Sequence, residues 1–549
     1  MNQTLVETRN LTKTFCDRTL FDDISFTIAT GEKVGLVGLN GSGKTTLFNV
    51  IMGNEEYDSG IIRKIPKKIK IGHLPQWIEF VDKSVGEVLY NSTMEANITE
   101  EWQYRKVLEN IMEEMNLDNI PLDLPTSRLS GGERVRLHLA GLLMMDPDFL
   151  ILDEPTNFLD IKGLSWMESF IRKSNRGILL VSHDRYFLDN VVDRIIEIDN
   201  GSMFEYAGNY SFYRLEKVKR IELQWKKFRE QKREVRRLKY LIQRENQFAL
   251  KAQKGPVRTD NSGIDWGFVG RRAAKHNKKA KSLEKRIERM DNVEKPRKNY
   301  FADIRFEGES SSNVVARAEG LCKRFGDNLL YENVNFTVSA GDKVGILGEN
   351  GSGKTTLLEI LQGVEPPTEG KTYLVESDRI GYFSQIFKDM DDDIIVLDQV
   401  IEKSGLDMPS ARNLLASFLF IGRDVFKRTG DLSIGERSRL VLACIKAKEP
   451  EVLILDEPTN HLDVDTTEIM ENALDQFSGT IIIISHDRCL LDNLVNRLLV
   501  IEKGTATMYP GNYSYYASKS RLEPVEYIED EKKRMIKLLR DCKAVEEET

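Results

Sequence analysis

"GLVGLNGSGKTTLFNVIMG", residues 35–53, returns 310 positions later as "GILGENGSGKTTLLEILQG", residues 345–363. Each copy places G-x-x-x-x-G-K-T between an apolar run of strand length and an apolar run of helical spacing. That order predicts a glycine-rich turn joining a strand to the N-terminus of a helix, where converging backbone N–H groups and the helix dipole cradle phosphate. The two cradles comprise Gly38, Asn40, Gly41, Ser42 and Gly43, and Gly348, Asn350, Gly351, Ser352 and Gly353. Lys44 and Lys354 reach the terminal phosphates, and the hydroxyls of Thr45 and Thr355 are placed for Mg²⁺, with Thr46 and Thr356 beside them. A lone match of this kind can be an ordinary turn. Two matches, each behind an apolar strand, predict one phosphate-binding module used twice.

The repetition extends well beyond the loops. "LILDEPTNFLD" (150–160) returns as "LILDEPTNHLD" (453–463), "VSHDRYFLDN" (181–190) as "ISHDRCLLDN" (484–493), and "GNYSFY" (208–213) as "GNYSYY" (511–516). Short β-branched runs alternating with helical stretches predict an α/β module with a largely parallel sheet. Residues 1–213 and 301–520 form the two modules, and 521–549 is a short charged C-terminal extension. Asp153 and Asp456, at strand ends, suit a Mg²⁺ shell; Glu154 and Glu457 after them can orient and polarise an attacking water. His183 and His486 each follow an apolar strand, where a neutral imidazole can contact a terminal phosphate.

The stretch between the modules, 214–300, differs in kind. From residue 214 to 298 there are 28 Lys/Arg against 11 Asp/Glu, a balance of +17 in a chain whose net charge is -8. Apolar residues recur at 215, 218, 221, 225, 228, 235, 238 and 242, and again at Ala273, Ala280, Leu283, Ile287 and Met290. This spacing predicts two helices paired along a narrow apolar seam, with a basic surface suited to a polyanion. The tip loop, about 251–270, carries Trp266 and Phe268 as stacking surfaces, and Arg258, Arg271 and Arg272 to hold phosphates.

Composition narrows the class. No apolar run approaches the roughly 20 residues of a membrane helix, and the polar start "MNQTLVETRN" has no signal pattern. A soluble, cytoplasmic protein is expected. The 5 cysteines form no C-x-x-C, which argues against an iron–sulfur or structural zinc site.

"LSGGE" (129–133) and "LSIGE" (432–436) resemble the signature of ATP-binding cassette proteins. Gln76 and Gln385 match that family's Q-loop and its Mg²⁺ contact, Asp160 and Asp463 its D-loop, and Phe15 and Phe325 the aromatic that stacks on adenine. The resemblance implies two phosphate-loop cassettes joined by a long antiparallel helical hairpin, closing head to tail over two ATP molecules with Mg²⁺. Ser130, Gly131 and Gly132 would then complete the site on Lys354, and Ser433 and Gly435 the site on Lys44. Ile434 departs from the signature glycine, and Phe158 stands where the second repeat has His461. We therefore expect unequal sites, with the Lys44 site slower.

Twin cassettes with a basic hairpin between them are similar to the ABC-F family. By that resemblance the protein is an ATPase acting on the ribosome as a monomer, with no membrane partner. Its hairpin would enter through the tRNA exit site and contact large-subunit rRNA and the peptidyl-site tRNA, with its tip toward the peptidyl transferase centre. Gln76 and Ser130 are 54 residues apart and Gln385 and Ser433 are 48 apart, which leaves no room for a large arm in the first cassette. That resembles the members conferring resistance to lincosamide, pleuromutilin and streptogramin A antibiotics. The alternatives are a housekeeping factor that relieves stalled ribosomes, and the ATPase subunit of a membrane transporter.

Overall fold

The computed structural model of the protein describes residues 3–15, 18–78, 83–95, 101–253, 266–290, 313–326, 328–375, 380–383, 390–460 and 462–520. Both repeats build the same scaffold. In the first, the strands Ile71–Leu74, Phe149–Asp153, Gly177–Val181, Lys33–Gly38, Arg194–Asp199 and Ser202–Tyr206 lie side by side in that order. All neighbouring pairs are parallel except the last. Phe149–Asp153 and Gly177–Val181 are buried along their whole length. An uninterrupted apolar run such as "FLILD" reflects a strand covered on both faces, where alternation would put polar groups into a core. The second repeat reproduces the order with Ile380–Phe383, Val452–Asp456, Thr480–Ile484, Lys343–Gly348, Arg497–Glu502 and Thr505–Tyr509.

A three-stranded antiparallel sheet accompanies each larger one: Thr4–Phe15, Arg18–Ala29 and Ser59–Lys64 in the first repeat, Val314–Phe325, Asn328–Ser339 and Glu369–Leu374 in the second. The signature sequences start the helices Gly131–Met144 and Ile434–Ala447. Ser130 and Ser433 cap them with nearly identical backbone angles, each in a reciprocal capping box with Glu133 or Glu436. The Ile434 backbone thus follows the path that glycine takes in the first repeat.

The two repeats form one compact unit, and residues 214–299 belong to a second. There the helix Tyr210–Gln253, from Arg214 onward, pairs with Trp266–Glu288. Leu238, Ala249 and Ala280 are buried between them. Glu245 is buried as well, accepting from His276 Nδ1 at 2.6 Å and from Lys279 Nζ at 2.7 Å. Arg286 reaches Glu234 at 3.2 Å, so the pairing is antiparallel.

One expectation changes. The tip loop was expected to run to about residue 270, but the backbone is helical from Trp266 onward, which puts Trp266, Phe268, Arg271 and Arg272 in the first turns of a helix. Gly267 and Gly270 cost helix propensity of about 1 kcal/mol each. The helix-forming run "RRAAKHNKKAKSLEKRIE" that follows outweighs them. Arg258, Gln385 and residues 521–549 lie outside the described residues. Among the described residues no helix is long and apolar enough to cross a membrane.

Candidate active site

Each phosphate loop turns into its helix through a glycine in the left-handed region, Gly43 at φ 96° and Gly353 at φ 90°. A side chain there would be strained, and at Gly43 its Cβ would lie 3.2 Å from Leu20 Cβ. The turns bring the helix N-termini at Lys44 and Thr45, and at Lys354 and Thr355, to the ends of the central strands. Lys44 Nζ donates to the carbonyls of Gly38 at 2.7 Å and Leu39 at 3.3 Å; Lys354 Nζ donates to those of Gly348 at 2.9 Å and Glu349 at 3.0 Å. Burial pushes both ammonium groups below the usual lysine range, against the pull of nearby carboxylates. The hydroxyls of Ser42 and Ser352 are buried without a hydrogen-bond partner among the described residues. Such groups fit phosphate oxygens.

The Thr45 hydroxyl donates to Asp153 Oδ2 at 3.1 Å, and that of Thr355 to Asp456 Oδ2 at 3.0 Å. Burial, more than any other cause, raises both aspartates to about 6. An anionic oxygen next to a hydroxyl, in a setting that penalises bare charge, suits a divalent cation. No group of three or more His, Cys, Asp or Glu side chains among the described residues could hold a metal ion alone. A hydroxyl paired with a carboxylate at each site suits Mg²⁺, which typically takes one or two protein ligands together with substrate phosphates and water. Thr45 with Asp153, and Thr355 with Asp456, would hold Mg²⁺, which would supply positive charge to offset that developing on the transferred phosphoryl group.

Glu154 and Glu457 follow these aspartates in the left-handed region, at φ 53° and φ 47°. For a non-glycine residue that strain marks a position held by its surroundings for function. The backbone N–H groups of His183 and His486 donate to Oε2 of Glu154 and Glu457, at 3.1 Å and 3.3 Å. The imidazole Nε2 atoms stand 3.3 Å and 3.4 Å from the Oε1 atoms. Those Oε1 atoms are buried and accept no hydrogen bond among the described residues, which suits them to take a proton from water. Burial raises Glu457 to about 7 and lowers His486 to about 3, so the imidazole is neutral.

The two sites share one cleft of about 1040 Å³, bordered by Lys44, Thr46, Gln76, Gly131 and Glu154 on one side and by Phe325, Lys354, Thr356, Ser433, Gly435 and Glu457 on the other. The repeats face each other head to tail. Asn350 in the second phosphate loop donates its backbone N–H to Asp160 Oδ2 at 3.3 Å and its side-chain amide to the Phe158 carbonyl at 2.8 Å. Lys162 pairs with Glu349 across the same junction. Asp463 acts in the same crosswise sense on Lys44, and Asp160 on Lys354. Neither site is complete within one repeat.

Of the remaining candidates in the cassettes, Phe325 borders this cleft. Ser130 caps its helix beside Gly131, and Gly132 follows. Phe15 and Phe325 end their strands with half-exposed rings, under the ammonium groups of Lys13 and Lys323 at 5.5 Å and 4.6 Å from the ring centroids. An exposed aromatic face there is open to a base. The motif reading missed Trp77, whose ring lies 5.9 Å from that of Phe158. It also missed two buried arginines, Arg185 and Arg488, which join the repeats. Their signal was present in the sequence: both follow the repeated "SHD", and their partners Glu168 and Glu471 share the same offset.

Fold and site together define a twin-cassette ATPase that hydrolyses ATP with Mg²⁺. The family described as ABC transporter matches residues 21–157 and 331–460, and a second family of that description matches 196–259. The chain is 34% identical to the energy-dependent translational throttle protein EttA of Haemophilus influenzae, over 91% of this chain and 92% of that protein. It is 32% identical to ABC transporter F family member 5 of Arabidopsis thaliana, over 94% of this chain and 77% of that one. It is equally 32% identical to the uncharacterized ABC transporter ATP-binding protein YfmR of Bacillus subtilis, over 94% and 84%. Among solved structures, an RNase-L Inhibitor matches with a TM-score of 0.60 at 20% identity, covering 96% of this chain and 99% of that one. The chain belongs to the ABC-F family of twin-cassette ATPases.

Proposed function

We propose that this protein is an ATP-dependent factor of translation that binds the ribosome with the cassettes closed and leaves it after hydrolysis. The observation carrying this reading is the crosswise cleft in a chain whose two repeats are joined by a basic helical pair. A cleft lined by both repeats suits closure over two nucleotides, and the +17 balance of residues 214–298 suits RNA phosphates. The name of the Haemophilus influenzae relative, a translational throttle, supports the same target.

The hairpin then enters through the tRNA exit site, touches large-subunit rRNA and the peptidyl-site tRNA, and brings Arg258, Trp266, Phe268, Arg271 and Arg272 toward the peptidyl transferase centre. In this role it protects the ribosome from lincosamide, pleuromutilin and streptogramin A antibiotics. A second reading, a housekeeping factor acting on stalled ribosomes, is favoured by that relative's name and uses the same residues. The test is co-sedimentation of the Glu154→Gln, Glu457→Gln protein with ribosomes: ATP-dependent trapping is expected, and pelleting with membranes alone would return the chain to the transporters. Susceptibility of a sensitive host separates the two readings. Unchanged inhibitory concentrations for all three drug classes leave the housekeeping role.

A further inference from the structure

Six charged side chains from the two repeats meet beside the shared cleft, which Asp184 and Asp487 border: Glu168, Asp184 and Arg185 from the first, Glu471, Asp487 and Arg488 from the second. Arg185 donates to Glu471 Oε2 at 2.8 Å and lies 3.7 Å from Asp487. Arg488 donates to Glu168 Oε1 at 2.5 Å and lies 3.5 Å from Asp184, with its guanidinium 4.0 Å from the centroid of the Tyr186 ring. Asn190 and Asn493 hold the two glutamates from their other sides. The arginines and glutamates are all nearly inaccessible to solvent.

Such pairs explain little of a protein's stability, because desolvation offsets most of their attraction. What they provide is direction, since the planar guanidinium fixes the angle at which its partner approaches. The topology shows what is being fixed. Arg185 stands two residues after His183, in the Lys44 site. Glu471 lies on the helix Val464–Asp475, whose N-cap is Asp463, the carboxylate that the second repeat presents to Lys44. In mirror fashion, Arg488 follows His486 in the Lys354 site. Glu168 lies on Ile161–Lys173, capped by Asp160, which accepts from Asn350 and acts on Lys354. Each arginine therefore ties the histidine corner of one site to the aspartate-capped helix that closes the same site from the opposite repeat.

We propose that Arg185 and Arg488 are positioning residues, each setting the opposite repeat's D-loop on the ATP site of its own repeat. Neither arginine borders the cleft, so both act through geometry. Displacing a reacting arrangement by about 1 Å costs up to roughly 100-fold in rate, so the chemical step should suffer more than nucleotide binding.

The experiment reads one site at a time in the full-length protein by single-turnover hydrolysis. The Glu457→Gln background reports the Lys44 site and the Glu154→Gln background the Lys354 site. Arg185→Gln is expected to lower the rate at the Lys44 site by more than about tenfold, with the half-saturating ATP concentration and the Lys354 site both within about twofold. Arg488→Gln should give the mirror pattern. Glu471→Gln, which keeps an acceptor for Arg185, should reproduce the Arg185→Gln pattern more mildly and serves if the arginine variant does not fold. Equal losses at both sites, or a loss confined to ATP affinity, would overturn the assignment.

Discussion

The side-chain amide of Asn350, in the second phosphate loop, donates to the backbone carbonyl of Phe158, in the first repeat, at 2.8 Å. Phe158 sits in the left-handed region at φ 66°, and its ring meets Trp77, next to Gln76. One residue thus touches the Q-loop of one site and the phosphate loop of the other. Removing the amide by Asn350→Ala deletes a hydrogen bond worth about 1 kcal/mol net. In the Glu154→Gln background the ATP concentration for half-maximal hydrolysis should rise roughly fivefold. An unchanged value means the contact contributes nothing to closure.

The same phenylalanine explains a glycine. A Cβ on Gly131 would lie 2.7 Å from Phe158 Cβ, closer than two carbons can pack. Gly131→Ala should destabilise the first cassette by about 1–3 kcal/mol, visible as a lower Tm. Phe158→Gly in the same chain should restore most of the loss, since it removes both the clash and the left-handed strain. In the second repeat Ile434 and His461 take these two positions. A double variant melting as low as Gly131→Ala would locate the conflict elsewhere.

The two sites should hydrolyse at unequal rates, with the Lys44 site slower. Its signature corner carries Ile434, while the site on Lys354 meets Gly131 and the Phe158 contact. Glu457→Gln, which leaves the Lys44 site active, is expected to turn over more slowly than Glu154→Gln. Single-turnover assays at saturating ATP decide it, and equal residual rates refute it.

Acid should loosen the hairpin. His276 first, and then Lys279, hold the Glu245 carboxyl below the usual range. A carboxyl depressed in the folded state stabilises above its unfolded value, about 4.3, and loses that contribution as pH falls through the folded value. Amide exchange at residues 238–249 and 276–283 should therefore accelerate below about pH 4 after correction for intrinsic rates. Glu245→Gln should show the faster exchange already at pH 7. Equal protection in the variant at neutral pH would remove Glu245 from the account.

The phosphate loops, the strand-end carboxylates and the duplication were legible because each depends on neighbours in the chain. Glycines permit a turn, an apolar run makes a buried strand, and the next residue falls at its end. The basic helical pair was legible for the same reason, through a spacing of three and four residues. Its loop is shorter than the local glycines suggest, because the helix-forming run that follows carries the helix back to Trp266. Where Asn350 reaches Phe158, and where Arg185 and Arg488 find Glu471 and Glu168, the partners are separated by 192, 286 and 320 positions. No periodicity reports such distances. The sequence by itself determined what each half-site contains, and its resemblance implied the head-to-tail pairing; the tertiary structure alone decided which side chains meet across that junction, because docking two buried surfaces selects partners by shape and charge.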